Sequence, residues 1–325
     1  MLTATQKLAE IIGKNPDDLV SSLVEAYAYP IAMSGSTEDA TLLTRLALSH
    51  PAKSWTGELF EAIAATGNTD HGEQLLHAFV HEGTLLPGTD ERLLLALGKL
   101  QVIAAYPMLW QYALHARDHY ESKYAVFGLL ATTDTRPEEI KVAVNACLGQ
   151  HLFPEFVPAL VSKLPDREDW LPQLYALGCR CSTDCNAGLL VAFSLCGDAG
   201  KDWYLKAIFN PDWEAGDSAT GTLHYTWQGM KALNLRFADL ADSLSQLAEP
   251  ASQDYACVVI YTLLQNRLED PDPAARHTGA PQELYDLLFS ESEDSLFPIV
   301  GETLDMTLLL TLETQLLDAI RREYL

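Results

Sequence analysis

The sequence predicts an all-α protein, a superhelix (solenoid) of antiparallel helix pairs in which each pair buries its apolar face against its neighbours. Between Ala125 and Pro211 one helical unit is written twice: Ile140, Val144 and Cys147 recur 49 positions later as Leu189, Phe193 and Cys196. Each triplet follows a Gly-containing helix end, Phe127-Gly128 or Leu177-Gly178, and precedes a Pro-Asp step, Pro165-Asp166 or Pro211-Asp212. A period near 45 to 50 residues with two apolar helices per unit marks a helical solenoid. Elsewhere apolar residues recur at helical spacing, and no alternating strand pattern of useful length appears. The 325 residues are 48% apolar, enough for a continuous core. Because a solenoid grows along one axis, residues 1–325 are expected to form a single repeat domain.

Two stretches carry a family resemblance. Phe156-Val-Pro-Ala-Leu-Val-Ser-Lys-Leu-Pro165-Asp166 resembles the second helix of a HEAT repeat running into its inter-repeat turn, and Leu205-Lys-Ala-Ile-Phe-Asn-Pro211-Asp212-Trp213-Glu214 resembles another. The resemblance covers about a quarter of the chain and implies a right-handed, HEAT-like superhelix. The basic residue usual early in the next helix of that family is missing around Gly216 to Gly221.

The elements follow in order. Asn15-Pro16-Asp17-Asp18 opens a helix, acidic at its positive end, with Leu19, Leu23 and Ala26 as its expected inner face and a stop before Pro30. Leu42, Leu43, Leu46 and Ala47 form the next stripe, ending at His50-Pro51. Helices are expected over 55–65 and 69–82, punctuated by Gly67-Asn68 and Gly83. A long helix is expected over 90–105, interrupted at Tyr106-Pro107, after which helical spacing continues toward Tyr120 and Phe127. Thr135 and Glu138 have capping-box spacing and start the helix of the first triplet. Past the central repeats, 210–221 is a polar segment, and helices resume over 223–235, 238–247 and 254–268. Residues 270–281 read as an exposed linker because its prolines break any helix there. Residues 302–322 carry Leu304, Leu308, Leu312, Leu316 and Ile320 along one side and read as a C-terminal capping helix.

The charge balance narrows the function classes. With 45 acidic against 21 basic residues the formal net charge is −24, and such a field repels nucleic acid and anionic membrane surfaces while attracting a basic protein partner. The same carboxylates also serve solubility alone in many proteins. No basic leader precedes an apolar stretch at Met1 to Ile12, no apolar run approaches a membrane span, and six cysteines in such a chain suit reduced thiols. The expected location is the cytoplasm.

No nucleophile elbow, phosphate-cradling loop or metalloprotease His-Glu-x-x-His is present. Two constellations nevertheless have the residue types for metal binding. Cys179, Cys181 and Cys185 are bunched in one loop, yet Cys196 lies eleven residues further on, about 16 Å along a helix, which leaves three sulfurs where a closed site wants four. Glu73, His77 and His81 are spaced to share a helix face, as are His115 and His119. The ordinary alternative for both sets is a plain inter-helix loop and surface histidines near helix ends, and no cofactor is expected. The aromatics suggest a different use. Asp169-Trp170, Asp202-Trp203 and Asp212-Trp213-Glu214 repeat a carboxylate beside an indole, a pattern suited to gripping the Arg or Lys side chains of a partner, although packing at a helix start is the commoner role of such an indole. Two readings therefore stand side by side. One is a non-enzymatic binding protein, most concretely a bacterial cytosolic inhibitor or immunity-type protein masking a basic partner. The other is an enzyme or metal protein on a HEAT-like scaffold using the Cys loop or the His pairs.

Overall fold

The computed structural model describes residues 3–17, 19–51, 53–215, 221–235 and 239. They are predominantly helical, and no helix among them is long and apolar enough to cross a membrane. The chain divides into two compact units, Met1–Cys147 and Leu148–Leu325. The expected linker at 270–281 and capping helix at 302–322 lie outside the described residues.

In the first unit α1 (Ala4–Lys14), α2 (Ser21–Ser34), α3 (Thr37–Ser49), α4 (Thr56–Thr66) and α5 (Thr69–Phe79) are followed by a two-residue hairpin, β1 (Val80–His81) with β2 (Thr84–Leu85). Then come α6 (Arg92–Lys99), a 3-10 turn at Ile103–Ala105, α7 (Tyr106–His115), α8 (His119–Ala131) and α9 (Pro137–Leu148). Local chemistry sets most starts. Thr3 with Gln6 and Ser36 with Asp39 form capping boxes for α1 and α3, Asn68 caps α5, and the Asp118 carboxylate accepts the Tyr120 and Glu121 amides at the head of α8.

The helices of this unit pack in two rows, α1 on α3 on α5 and α2 on α4 on α6 on α8, with contacts between the rows at α1–α2, α3–α4 and α5–α6. Helices α1, α3 and α5 begin at residues 4, 37 and 69, and α2, α4 and α6 at 21, 56 and 92. That step is shorter than the 45 to 50 residues read from the central triplets. Hydrogen bonds span nearly the same interval: Thr5 Oγ1 donates to Asp39 (2.6 Å), Thr69 Oγ1 to the Leu100 carbonyl (2.9 Å) and Gln101 Nε2 to the Ala131 carbonyl (2.8 Å), over 34, 31 and 30 residues. Helices α6 and α8 come close together at Gly98 and Gly128, where a methyl on Gly98 would overlap the Gly128 carbonyl.

Several local expectations are corrected. Helix α2 runs through Pro30, and its buried face is Val24, Ala28 and Ile31, while Leu23 and Ala26 are exposed. The long helix expected over 90–105 ends at Lys99, where Gln101 takes a positive φ and closes the turn by bonding the Gly98 and Ala131 carbonyls. Pro107 then starts α7 instead of interrupting a helix, since a first-turn proline has no intrahelical N–H to lose. Helix α5 stops at Phe79 because Glu82 and Gly83, both at positive φ, turn the chain into the hairpin.

In the second unit 3-10 segments at Val157–Lys163 and Arg167–Trp170 lead to α10 (Leu171–Gly178), and one at Thr183–Cys185 leads to α11 (Asn186–Leu195). Helix α12 (Asp198–Ile208), a 3-10 turn at Pro211–Trp213 and α13 (Thr222–Ala232) follow. Helix α11 is the centre of this unit, packing on α12, α13 and the Val157–Lys163 segment. Ile140, Val144 and Cys147 on α9 are buried, as are Leu189, Phe193 and Cys196 at the matching positions. The segment read as a HEAT-like second helix, 156–166, is 3-10 and not α, with Pro158 in its first turn.

Candidate functional site

The His candidates do not come together as spaced. His77 lies on α5 but His81 on β1, and His115 ends α7 while His119 opens α8, so neither pair shares a helix face. Glu73 is exposed beside His77. Among the described residues no group of three or more His, Cys, Asp or Glu is placed to hold a metal ion. In the Cys loop the three thiols are sorted by depth: Cys179 is exposed, Cys181 half-buried and Cys185 buried. Burial pushes the Cys181 thiol up to about 12, and burial raises Cys185 as well, so neither offers a ready thiolate at neutral pH. Their hydrogens have other uses, since Cys185 Sγ donates to the Phe153 carbonyl (3.5 Å) and Cys181 Sγ to Asn186 Oδ1 (3.4 Å).

The carboxylate–indole steps are sorted too. Asp169, Asp202, Asp212 and Glu214 are exposed. Trp170 and Trp213 retain 8% and 0% of their surface, so they serve the core and not a partner. Trp203 alone is half-exposed. It stands at the outer end of an aromatic ladder that runs into the core, with Tyr175 at 5.6 Å, Tyr175 stacked on Trp213 at 5.7 Å, and Trp213 on Phe193 at 5.8 Å between ring centroids. The ladder thus joins the Asp202-Trp203 and Asp212-Trp213 steps through Tyr175, a residue that spacing did not single out.

The chain builds this ladder with short-range devices. Trp213 is held by its carbonyl, which accepts from Asn186 Nδ2 at 2.8 Å, and its ring occupies the space left open by the missing side chain of Gly178. Asn210 Oδ1 accepts the Asp212 amide (3.0 Å), and Asn210 Nδ2 reaches the Tyr175 hydroxyl (3.2 Å) and Cys179 Sγ (3.6 Å). Cys179 of the Cys loop therefore borders the ladder. At the outer end the Lys206 ammonium lies over the Trp203 ring, 4.4 Å from its centroid. Lys206 is one helical turn from Trp203 on α12, and Asp202 is exposed next to the indole. The indole face already attracts a cation, as its quadrupole dictates.

A second charged feature, in the first unit, was not legible from spacing. Arg92 on α6 binds Asp90 through Nε and Nη2 (2.9 Å each) and Glu58 on α4 through Nη1 (2.8 Å), with Glu61 3.7 Å away. Burial opposes the Arg92 charge, but its hydrogen bonds to Asp90 and Glu58 more than offset that, and its pKa is raised. Glu61 is raised by burial and then by Glu58 and Asp90, and Glu121 by burial and then by Asp118 and Glu91. These carboxylates come from chain positions 58 to 121, and only the packing of α4, α6 and α8 assembles them. No family model, no curated protein and no solved structure matches the chain.

Proposed function

We propose that this chain is a non-enzymatic binding protein of the cytoplasm, a HEAT-like superhelix of helix pairs that masks a basic protein, as an inhibitor or immunity-type protein does. The two-row packing of the first unit, with its step of 32 to 36 residues between helix starts, supports a repeat architecture. The net charge of −24 supports a cationic partner. The observation that carries the reading is the Lys206 ammonium 4.4 Å over the Trp203 ring beside exposed Asp202. A partner's arginine takes that place by displacing Lys206, whose flexible stem costs little to move, and its planar guanidinium stacks on the indole better than an ammonium does. Exposed Asp202 and Asp212 speed the encounter, and the stacked contact slows release.

A fluorescent arginine–glycine repeat peptide tests this. Trp203→Ala should raise its dissociation rate about tenfold, as expected for loss of a contact worth ~1–2 kcal/mol. Charge reversal at Asp202 and Asp212 should lower the association rate with little change in melting temperature. Binding should weaken steeply between about 50 and 500 mM salt as the Debye length collapses. Salt-independent binding, or binding indifferent to Trp203, would overturn the proposal.

A further inference from the structure

Helix α2 is apolar on two opposite sides. Val24, Ala28 and Ile31 face inward and are buried. The other side presents Leu23, Ala26, Pro30 and Met33, flanked by Val20 and Tyr29. Val20, Leu23, Tyr29 and Met33 keep 60%, 41%, 60% and 70% of their surface exposed. A helix that is apolar all round is ordinarily buried all round. Its 14 residues carry one charge, Glu25, in a chain where 20% of residues are charged.

We propose that this outer face of α2 is covered by the same face of a second copy of the chain, running antiparallel. Charge selects the occupant. Two copies at −24 each repel one another, and the repulsion is least where both have withdrawn their charges. A basic protein would bury its cations against a face that offers Glu25 alone, and an anionic lipid surface is repelled by the chain as a whole. Geometry selects the arrangement. The stripe Leu23, Ala26, Pro30, Met33 is spaced three, four and three residues apart, and this spacing reads the same from either end. A two-fold axis through its midpoint sets Leu23 against Met33 of the second copy and Ala26 against Pro30, so long side chains meet long ones and small meet small. Such self-complementarity is what an isologous interface requires. One face of a single 14-residue helix offers less than the ~800 Å² per partner of a standard interface, so the dimer is expected in the micromolar range.

Sedimentation of the full chain from about 1 to 100 μM, spanning a micromolar dissociation constant, should show its mass rise from monomer to dimer. Added salt should tighten the dimer by screening the repulsion, the opposite of its effect on a cationic partner. Leu23→Glu and Met33→Lys should each weaken the dimer at least about 100-fold, as loss of a central contact does, with unchanged melting because both side chains are exposed. Mixing the two variants should restore association, because the antiparallel register places the introduced carboxylate against the introduced ammonium and keeps one Leu–Met pair intact. A chain that stays monomeric at about 100 μM overturns the proposal, and so does a dimer that survives both substitutions or a mixture that fails to reassociate. The mass of the unaltered chain decides the matter even if a variant folds poorly.

Discussion

In the first unit every second α-helix from α1 to α6 starts 32 to 36 residues after the one before it in its row, whereas among the described residues of the second unit four 3-10 segments are interspersed among four α-helices. Among the described residues both regions bury many apolar side chains. They differ in what the chain offers the backbone. The first unit starts three of its helices with Thr3, Ser36 and Asn68 capping boxes, each satisfying orphan amides at once. The second carries five prolines between Pro154 and Pro211. Each proline removes a donor and restricts the residue before it, so short, tighter turns replace regular helix. Regular helices hold the first unit by repeated side-chain links across about 30 residues. Irregular ones hold the second by an aromatic ladder around α11.

The largest expected effect tests whether the two triplets are equivalent core. Val144→Asp and Phe193→Asp should each abolish cooperative melting, since an unpaired buried carboxylate costs several kcal/mol, on the order of a whole domain's stability. Both side chains are fully buried. If only Phe193→Asp unfolds the protein, the ladder and not the triplet holds the core. Thermal melting by circular dichroism decides.

A smaller effect sharpens the contrast between close helix crossing and loose turn. A methyl at Gly98 would overlap the Gly128 carbonyl in the first unit, and one at Gly188 would overlap the Glu155 carbonyl in the second, whereas Gly149 has nothing within 4 Å. Gly98→Ala and Gly188→Ala should each cost ~1–3 kcal/mol by overpacking. Gly149→Ala should stay within about 0.5 kcal/mol of the parent. Chemical denaturation measures all three, and a silent Gly98→Ala would mean that α6 and α8 slide apart freely.

The smallest effect concerns pH and the carboxylates of the first unit. The Thr5 hydroxyl and the Ser36 amide hold Asp39 below its ordinary range. Its depressed pKa adds stability above the unfolded aspartate value, and that stability is lost as pH falls through the folded one. Glu61 and Glu121 are pushed the other way, chiefly by burial, so their share is present below the ordinary glutamate value and lost as pH rises through the raised one. Asp39→Asn should flatten the acid limb of the melting temperature, and Glu61→Gln should raise melting at neutral pH, each by about 2 °C. Parallel pH profiles for parent and Asp39→Asn would show that the α1–α3 bond contributes nothing.

Much of the helical content was legible because apolar spacing acts within a few residues, whereas the capping boxes at Thr3, Ser36 and Asn68 went unread. The triplets at Ile140 and Leu189 needed nothing further. Other readings failed for want of longer-range information. Spacing of four put His77 with His81 and His115 with His119, but a helix face exists only where the helix continues, and the Glu82-Gly83 turn and the Asp118 cap ended it. Residues 156–166 have a HEAT-like apolar pattern that does not distinguish α from 3-10 backbone. The inner face of α2 was read as Leu19, Leu23 and Ala26 because an apolar stripe on one side looks like a core stripe, and here both sides qualify.

By itself the sequence determined that the chain is helical, where many of its helices begin, that the two triplets are buried and that the surface is acidic. These follow from bonds within one helical turn, from apolar spacing and from composition. Tertiary structure alone decided which side of α2 faces inward, that Trp170 and Trp213 belong to the core while Trp203 stays half-exposed, and that Glu58, Glu61 and Asp90 meet on Arg92. Each of those outcomes depends on a neighbouring helix or turn supplying the other half of the contact. The indole of Trp213 is buried because Tyr175 and Phe193 flank it and Gly178 leaves room for it, and no local property of Asp212-Trp213-Glu214 contains that information.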